Sequence, residues 1–234
     1  MTLIPLLTLP STLDYVAVGL LFLAWAGTGW IVEHPPASRP SVTTLMVAYR
    51  RSWMQEFVLR NPRLFDAAVV NSLRQGTAFF ASACMIAIGG GAALIGNPER
   101  LHGLASDLTL PAGTSMLELK VLLVLFFVGA AFLKFVWAHR LFGYCEILMA
   151  AVPNDPEDPE AYPRAAQAAG INITAARSFN RGLRAVFFAM AALGWLLGGL
   201  ALILTTLATI CVILRAEFAS ASREVIMGRD PGRR

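Results

Sequence analysis

The sequence predicts an all-α fold, a polytopic bundle of four transmembrane helices with amphipathic helices on its cytoplasmic side. Only 15% of the 234 residues are charged and 56% are hydrophobic, whereas soluble domains carry about 25% charged residues. The apolar residues fall into four long blocks, each able to cross about 30 Å of hydrocarbon as a helix. These observations place the chain among integral membrane proteins.

The first span is predicted at about 15–32, in the uncharged stretch between Asp14 and Glu33. A cleaved signal peptide would need basic residues ahead of its apolar segment, and no Lys or Arg precedes Arg39. We therefore expect this segment to remain as a membrane-spanning helix.

An amphipathic helix is predicted after the first span. Ser41 can cap its start, and Asn61-Pro62 ends it. Its apolar residues recur at the three- and four-residue spacing of a helix face, and they are Leu45, Met46, Tyr49, Trp53, Met54 and Phe57. Another helix is expected to begin near Arg63 and to run into the second span, at about 75–97.

The third span is predicted at about 121–138. It contains one charge, Lys134, which lies within a turn of the predicted end and can extend its ammonium to the interface. We expect the helix to continue beyond the membrane to Pro153, where an acidic, proline-rich linker follows. A short helix is then predicted from Ala165 to Ser178.

The fourth span is predicted within 185–214, an uncharged block of 30 residues. As one helix it would reach about 45 Å, so it must tilt, protrude or break, and Gly198-Gly199 is its weak point. A single crossing is favoured, because two full crossings do not fit in 30 residues. One transmembrane helical domain is thus predicted for 1–218, followed by a basic tail at 219–234.

The distribution of Lys and Arg predicts the orientation. Six fall in the first connection (33–74) and six in the third (134–184), against two in the second (99–120). The positive-inside rule then places the N-terminus outside and the first and third connections in the cytoplasm of a bacterial inner (plasma) membrane. A single fourth crossing puts the C-terminus outside, which conflicts with the arginines of its tail.

Several composite motifs are spread along the chain. They are Arg50-Arg51-Ser52-Trp53-Met54, Asp66 with Asn71-Ser72-Leu73, Phe79-Phe80-Ala81-Ser82, Lys134-Phe135-Val136-Trp137 with Arg140, Tyr144 and Cys145, and Phe179-Asn180-Arg181-Gly182-Leu183-Arg184. In these motifs, which extend over about residues 45–218, the sequence resembles the DUF599 family of uncharacterised membrane proteins. The resemblance implies a membrane-helical fold and supplies no chemistry.

The most prominent cluster of polar residues is predicted at the cytoplasmic face, where three segments meet. Its members are Arg50, Arg51, Asp66, Arg74, Lys134, Arg140, Asn180, Arg181 and Arg184. One interpretation is positive-inside charge, with Asp66 paired to Arg140 or Arg181. The other is an anionic pocket for a lipid headgroup, a nucleotide or an acidic partner. Because the basic residues flank apolar blocks, anionic lipid headgroups are expected as partners and nucleic acid is not, despite a net charge of +4.

The sequence contains no nucleophile motif, phosphate-binding loop or paired-carboxylate motif, so neither enzyme activity nor a cofactor is predicted. A metal site is conceivable from four residues near one membrane face, which are Glu33, His34, His139 and Cys145. None of these pairs has the i, i+4 spacing typical of zinc ligands on a helix. Ordinary interfacial histidines are the favoured interpretation, and no metal is predicted.

Small residues indicate where helices pack closely. Ala83, Ala87 and Gly91 form a stripe at four-residue spacing, and Gly194 with Gly198 forms a GxxxG pattern. Both patterns allow helices to approach closely, and packing within one chain is favoured over dimerisation.

The predicted function is association, as a non-enzymatic accessory or scaffold protein whose partner is a second copy or another membrane protein. The alternative is an oligomeric channel or transporter for a small solute, lined by Thr205, Thr206 and Thr209. Ion-coupled transport is disfavoured, because it usually needs ionisable residues inside the membrane. A lipid-acting membrane enzyme built on Asp66 and the arginines is a third hypothesis.

Overall fold

The computed structural model describes residues 10–97, 99, 103 and 114–228. These residues include seven α-helices, which we number in chain order, and one 3-10 turn. They contain no strand, which confirms the all-α prediction. The elements are α1 (Thr12–Glu33), α2 (Val42–Leu59), α3 (Leu64–Ile95), α4 (Thr114–Ala150), α5 (Ala161–Leu193), the 3-10 turn (Gly194–Leu197), α6 (Gly199–Phe218) and α7 (Ala221–Ile226).

Among the described residues, four helical segments are long and apolar enough to cross a membrane, by length and composition, and this confirms the predicted bundle. They are Thr12–Glu33, Leu64–Ile95, Ser115–Ala150 and Gly199–Ile226. The second and third exceed their predicted spans by several turns, because the same helices continue beyond the apolar stretch. The fourth starts at Gly199 rather than at residue 185.

Capping residues set the helix starts, as the sequence indicates. The Ser41 hydroxyl accepts a hydrogen bond from the Thr44 N–H (3.2 Å) and caps α2, which confirms that prediction. Ser11 and Asp14 form a capping box at the start of α1, so the four unpaired N–H groups of that helix are partly satisfied.

The predicted short helix at 165–178 is wrong, because α5 is continuous over Ala161–Leu193. Pro163 lies in the first turn of α5, where a missing N–H costs no intrahelical hydrogen bond. The helix therefore runs without interruption from the acidic linker through the motif that ends at Arg184.

We name the two ends of the bundle after the ends of α1, as the Asp14 end and the Glu33 end. Helix α6 runs parallel to α1. It starts at Gly199, which packs against Asp14. At the other end the Glu217 carboxylate accepts hydrogen bonds from the backbone N–H (2.9 Å) and hydroxyl (2.8 Å) of Thr43. The end of α6 thus lies at the same end of the bundle as the first connection.

The block 185–214 is not one crossing. Its first part completes α5, the 3-10 turn follows, and Gly198 reverses the chain with φ at +120°, a conformation that only glycine adopts readily. The block is therefore not one continuous helix, and the end of α6 lies at the same end of the bundle as the first connection.

Helices α5 and α6 can each run between the two ends of the bundle, because the part of α5 that does so begins before residue 185. The Arg184 guanidinium bonds to Glu33 at one end, and Trp195 Nε1 donates to Asp14 Oδ1 (2.7 Å) at the other. The chain rises about 17 Å along the helix axis between these two residues.

Helix α5 lies at the centre of the bundle, in contact with α1, α2, α4 and α6. Phe127 of α4 packs between Trp25 of α1 (5.3 Å between ring centroids) and Phe188 of α5 (6.3 Å). Nearer the Glu33 end, a Cβ on Gly182 would stand 2.7 Å from the Phe135 ring. The glycine therefore allows α4 and α5 to pack closely at this point.

The predicted basic tail begins with α7, which docks on the first connection. Arg223 Nε donates to the carbonyl of Pro40 (2.9 Å), and the Tyr49 hydroxyl donates to the carbonyl of Ile226 (2.9 Å). The last part of that tail, residues 229–234, lies outside the described residues.

Candidate functional site

The nine polar residues predicted to cluster are divided among several separate contacts, all on the Glu33 side of the bundle. Arg51 is exposed on α2. Arg140 Nε donates to the Tyr144 hydroxyl (2.5 Å) on the same helix. Arg74 on α3 pairs with Glu146 on α4 (2.8 Å). These three arginines therefore do not share one ligand site.

Asp66 is fully buried in the first turn of α3. Its Oδ1 accepts hydrogen bonds from Trp53 Nε1 (2.6 Å) and from Arg60 (2.5 Å). The expectation that Arg140 or Arg181 would pair with Asp66 is wrong, because the sharp turn between α2 and α3 brings Arg60 closer. The sequence carried one usable signal, since Arg60 and Asp66 flank the Asn61-Pro62 break.

Arg50 is held by an amide rather than by a carboxylate, since its guanidinium donates to Asn172 Oδ1. Burial lowers the pKa of Arg50 below its usual value. Nearby, Asn180 donates to the Thr43 hydroxyl (3.3 Å), the same hydroxyl that donates to Glu217. Arg50 and Asn180 line one cavity of about 270 Å³ between α2, α5 and α6.

Glu33 joins α1 to the motif on α5. Arg181 Nε donates to Glu33 Oε1 (2.9 Å), and Arg181 Nη2 and Arg184 Nη2 complete the contact with the two carboxylate oxygens. The Glu33 side chain is 13% exposed and that of Arg184 is 8% exposed. A carboxylate that accepts three charge-assisted hydrogen bonds from two guanidinium groups fixes both arginines in place.

Three of the nine predicted residues do line one site. Lys134 of α4, with Arg181 and Arg184 of α5, faces a crevice of about 450 Å³ whose third wall is α1. Sequence reasoning missed Glu33 as the acceptor that organises this site. The available signal was that Arg181 and Arg184 are three residues apart and so share a helix face.

The family model described as a protein of unknown function, DUF599, matches residues 16–222. The chain belongs to the DUF599 family. The match extends from α1 into α7 and confirms the resemblance that the composite motifs carry. No curated protein and no solved structure matches the chain. The family description assigns no activity, so the function of this DUF599 protein has to be inferred from its own geometry.

The four residues considered as metal ligands have other neighbours in this DUF599 protein. The His34 ring stacks on Trp30, and His139 Nδ1 lies 3.2 Å from the Thr77 hydroxyl. Glu33 binds the two arginines, and Cys145 is buried within reach of Asn172 Nδ2 (3.6 Å). Within the part of the chain that the structure describes, no group of three His, Cys, Asp or Glu side chains could hold a metal.

The small residues have different roles. A Cβ on Gly91 would stand 2.5 Å from the Leu125 side chain, so Gly91 allows α3 to pack on α4. Ala83 and Ala87 are exposed on α3 and take no part in that packing, which corrects the expectation of a stripe used within one chain.

The GxxxG pair is also divided between two roles. Gly194 lies against the Thr205 side chain, so it serves packing within the chain. Gly198 serves the reversal of the chain rather than helix packing.

The threonines considered as pore-lining lie largely inside one DUF599 chain. Thr205 donates to the carbonyl of Ala191 on α5 (2.8 Å), and Thr206 is fully buried. Thr209 is partly buried on the same helix. Packing within the chain therefore covers Thr206 fully, and Thr205 is engaged with α5.

Proposed function

We propose that this DUF599 protein is a non-enzymatic membrane protein that works by association, and that a second copy of the chain binds along the outward face of α3. The observation that carries the proposal is a regular row of exposed residues on that face. The row consists of Gln75, Phe79, Ser82, Ile86, Gly89 and Ala93, and we call it the α3 row.

Helix α3 is the least covered of the four apolar segments. Only 6% of its most apolar window is buried within the chain, against 22–28% for the other three. It packs along α4 through residues on its opposite face, among them Cys84 and Gly91. The α3 row therefore points away from the rest of the bundle.

The spacing in the α3 row alternates between four and three residues. This is the repeat with which two helices pack along a left-handed crossing. Gln75, Ser82 and Gly89 recur every seven residues and are polar or small, whereas Phe79 and Ile86 between them are large and apolar. Small and polar residues at such intervals favour contact with another helix over contact with lipid chains.

A second copy fits this face better than an unrelated helix does. Two copies inserted in the same orientation present equal residues at equal depth, and a two-fold axis then brings each residue of the row near its equivalent. Gln75 can pair its amide with that of its equivalent, because an amide both donates and accepts. The Gly89 residues allow close approach of the two backbones.

The hydrogen bonds of three carboxylates support the non-enzymatic part of this proposal. Asp66, Glu33 and Glu217 each accept hydrogen bonds from two or more groups of the chain itself. Both oxygens of Glu33 and of Glu217 are engaged in this way, whereas Asp66 uses Oδ1 and its Oδ2 is buried without a hydrogen-bond partner among the described residues. These carboxylates serve to join helices.

We also propose that the Glu33 end faces the cytoplasm of the plasma membrane. The first connection, the third connection and the described start of the tail are at this end, and they carry most of the arginines. This arrangement satisfies the positive-inside rule and removes the conflict that a single fourth crossing creates.

Native mass spectrometry in mild detergent tests the association. The wild-type protein is expected as a dimer, and Gly89→Leu is expected as a monomer because the larger side chain keeps the two helices apart. A Cβ on Gly89 meets no atom of the chain within 4 Å, so the fold tolerates the change. Gly19→Leu on α1 is the matched control, since Gly19 is equally open and lies off the α3 row.

A dimer that persists in Gly89→Leu and disappears in Gly19→Leu would assign the contact to α1 instead. A wild-type protein that is monomeric alone but binds one stoichiometric membrane protein would replace the second copy by that partner. A wild-type monomer without any partner would contradict association as the function.

A further inference from the structure

A crevice opens on the outside of the bundle between α1 and α4, with α5 as its back wall. Nearer the Asp14 end, α1 and α4 are joined by aromatic rings, with Trp25 and Phe127 centroids 5.3 Å apart. Toward the Glu33 end a space of about 450 Å³ lies between Gly29 on one side and Ala130 on the other, and Trp25 and Trp30 also line it.

The walls of the crevice change from apolar to charged within one helical turn. Gly29 precedes Glu33 by four residues on α1, and Ala130 precedes Lys134 by four residues on α4. Residues four apart lie above one another on a helix. The apolar part therefore lies nearer the centre of the bundle, and the charged part lies at the Glu33 end.

The charged part carries more positive than negative charge. The described residues that line it include Lys134, Arg181 and Arg184 and one carboxylate, Glu33, so the lining itself carries an excess of two positive charges. The Lys134 side chain is exposed. Arg181 is 49% exposed and uses two of its five N–H donors on Glu33, so further donors are free to face an anion.

Glu33 holds the two arginines in position before any ligand arrives. A rigid pair of guanidinium groups loses little side-chain entropy on binding an anion, and this favours affinity. Planar guanidinium groups also suit the oxygens of a phosphate.

We propose that this crevice binds one anionic phospholipid. Its phosphate lies between Lys134 and Arg181, and one acyl chain lies along Gly29 and Ala130. This ligand matches both parts of the site, because a phospholipid joins an anionic group to a hydrocarbon chain. The anionic group would face the charged part, and the hydrocarbon chain would face the apolar part.

The depth of the site supports the same ligand. The charged part is level with the end of α1, where the apolar stretch stops, and the phosphate groups of a bilayer lie next to its hydrocarbon region. The described residues that line the crevice come from α1, α4 and α5. The lipid site and the α3 row can therefore be tested independently.

The test is a lipid titration of the delipidated full-length protein, followed by native mass spectrometry. The probes are phosphatidylglycerol, phosphatidylcholine with the same acyl chains, and glycerol 3-phosphate as the soluble headgroup alone. We expect one phosphatidylglycerol to bind more tightly than phosphatidylcholine, and glycerol 3-phosphate not to displace it.

Three variants locate the site. Lys134→Gln is expected to weaken phosphatidylglycerol binding about fivefold, the effect of one basic residue beside an anionic lipid. Gly29→Leu places a larger side chain in the crevice, with its Cβ 4.0 Å from Arg184 Nε, and is expected to weaken both lipids. Arg51→Gln, which removes an exposed cation at the same end of the bundle, is expected to change neither.

Equal binding of the two lipids would overturn the proposal. So would a loss of affinity in Arg51→Gln as large as that in Lys134→Gln, because diffuse surface charge would then explain the binding. Displacement by glycerol 3-phosphate would make the site one for a soluble phosphate ester and would also overturn it. Thermal unfolding of each variant separates a lost site from a lost fold.

Discussion

Single carboxylates join the helices at the Glu33 end of this protein. Glu33 ties α1 to α5, Asp66 ties α3 to the end of α2, and Glu217 ties α6 to the start of α2. Each of these groups accepts hydrogen bonds from more than one donor, so the loss of one carboxylate leaves several donors without their acceptor.

Glu33→Gln is expected to destabilise the protein by about 2–4 kcal/mol, which is less than the cost of about 3–5 kcal/mol for breaking one side of a fully buried ion pair, because Arg181 is 49% exposed. The cause is that the Arg184 side chain, 8% exposed, then loses its direct ion pair with Glu33. Thermal unfolding in mild detergent measures the change. The control is Glu160→Gln, which breaks an exposed pair with Arg164 (3.5 Å) and should cost less than about 1 kcal/mol. Equal losses in the two variants would show that Glu33 is an ordinary surface charge.

Residue pairings were the part of the site that the sequence predicted least well. The residue types and their common face were visible, because positive-inside charge and a helical repeat are local properties. The partners of Asp66 and of Arg181 depend on how helices cross and turn, which no local pattern encodes. The pairing of Glu33 with Arg184 could not be predicted for the same reason, because the two residues are 151 positions apart along the chain. Glu33 was considered only as a metal ligand.

At the scale of elements, the reversal at Gly198 decides the path of the chain. Helix α5 reaches the Asp14 end, and α6 returns from there at once, with Gly199 packed against α1. The sequence identified Gly198-Gly199 as the weak point of an overlong block. It could not show the reversal, because α5 contains arginines. Its sequence therefore does not have the pattern of a membrane span.

Gly198→Ala is expected to lower the midpoint of thermal unfolding, with a cost of about 1–3 kcal/mol for a side chain in this backbone region. The cost does not come from a steric clash, since a Cβ on Gly198 meets nothing within 4 Å. It comes from the positive φ of this residue, which alanine adopts poorly. Gly19→Ala, in the middle of α1, is expected to leave the midpoint unchanged or raise it, because alanine favours a helix. An unfolding midpoint unaffected by Gly198→Ala would contradict the reversal.

For the whole molecule, the reversal places the basic tail at the same end as the other basic connections. The number of long apolar segments, the amphipathic α2 and the extension of α4 beyond the membrane were all predictable, since composition and periodicity determine them. The side of the C-terminus was not, because it depends on whether one block of residues crosses once or folds back on itself.

Labelling with a membrane-impermeant maleimide checks this topology in a Cys211→Ala background, which removes the exposed cysteine. Ser38→Cys and Ser222→Cys, both at exposed positions, are expected to react from the cytoplasmic side. Leu197→Cys, beside the reversal and 71% exposed, is expected to react from the opposite side. Reaction of Ser222→Cys from the same side as Leu197→Cys would show a single fourth crossing.

The association of two copies through α3 is tested most directly by disulfide cross-linking along that helix in native membranes. Two cysteines bond only when their Cα atoms approach within about 7 Å, so single cysteines introduced in turn from residue 75 to residue 93 report the contact face. We expect dimer formation to peak at Gln75, Ser82 and Gly89, with a period near 3.5 residues, and to be absent on the face toward α4. Uniform absence of cross-links, or a maximum away from the α3 row, would contradict the account.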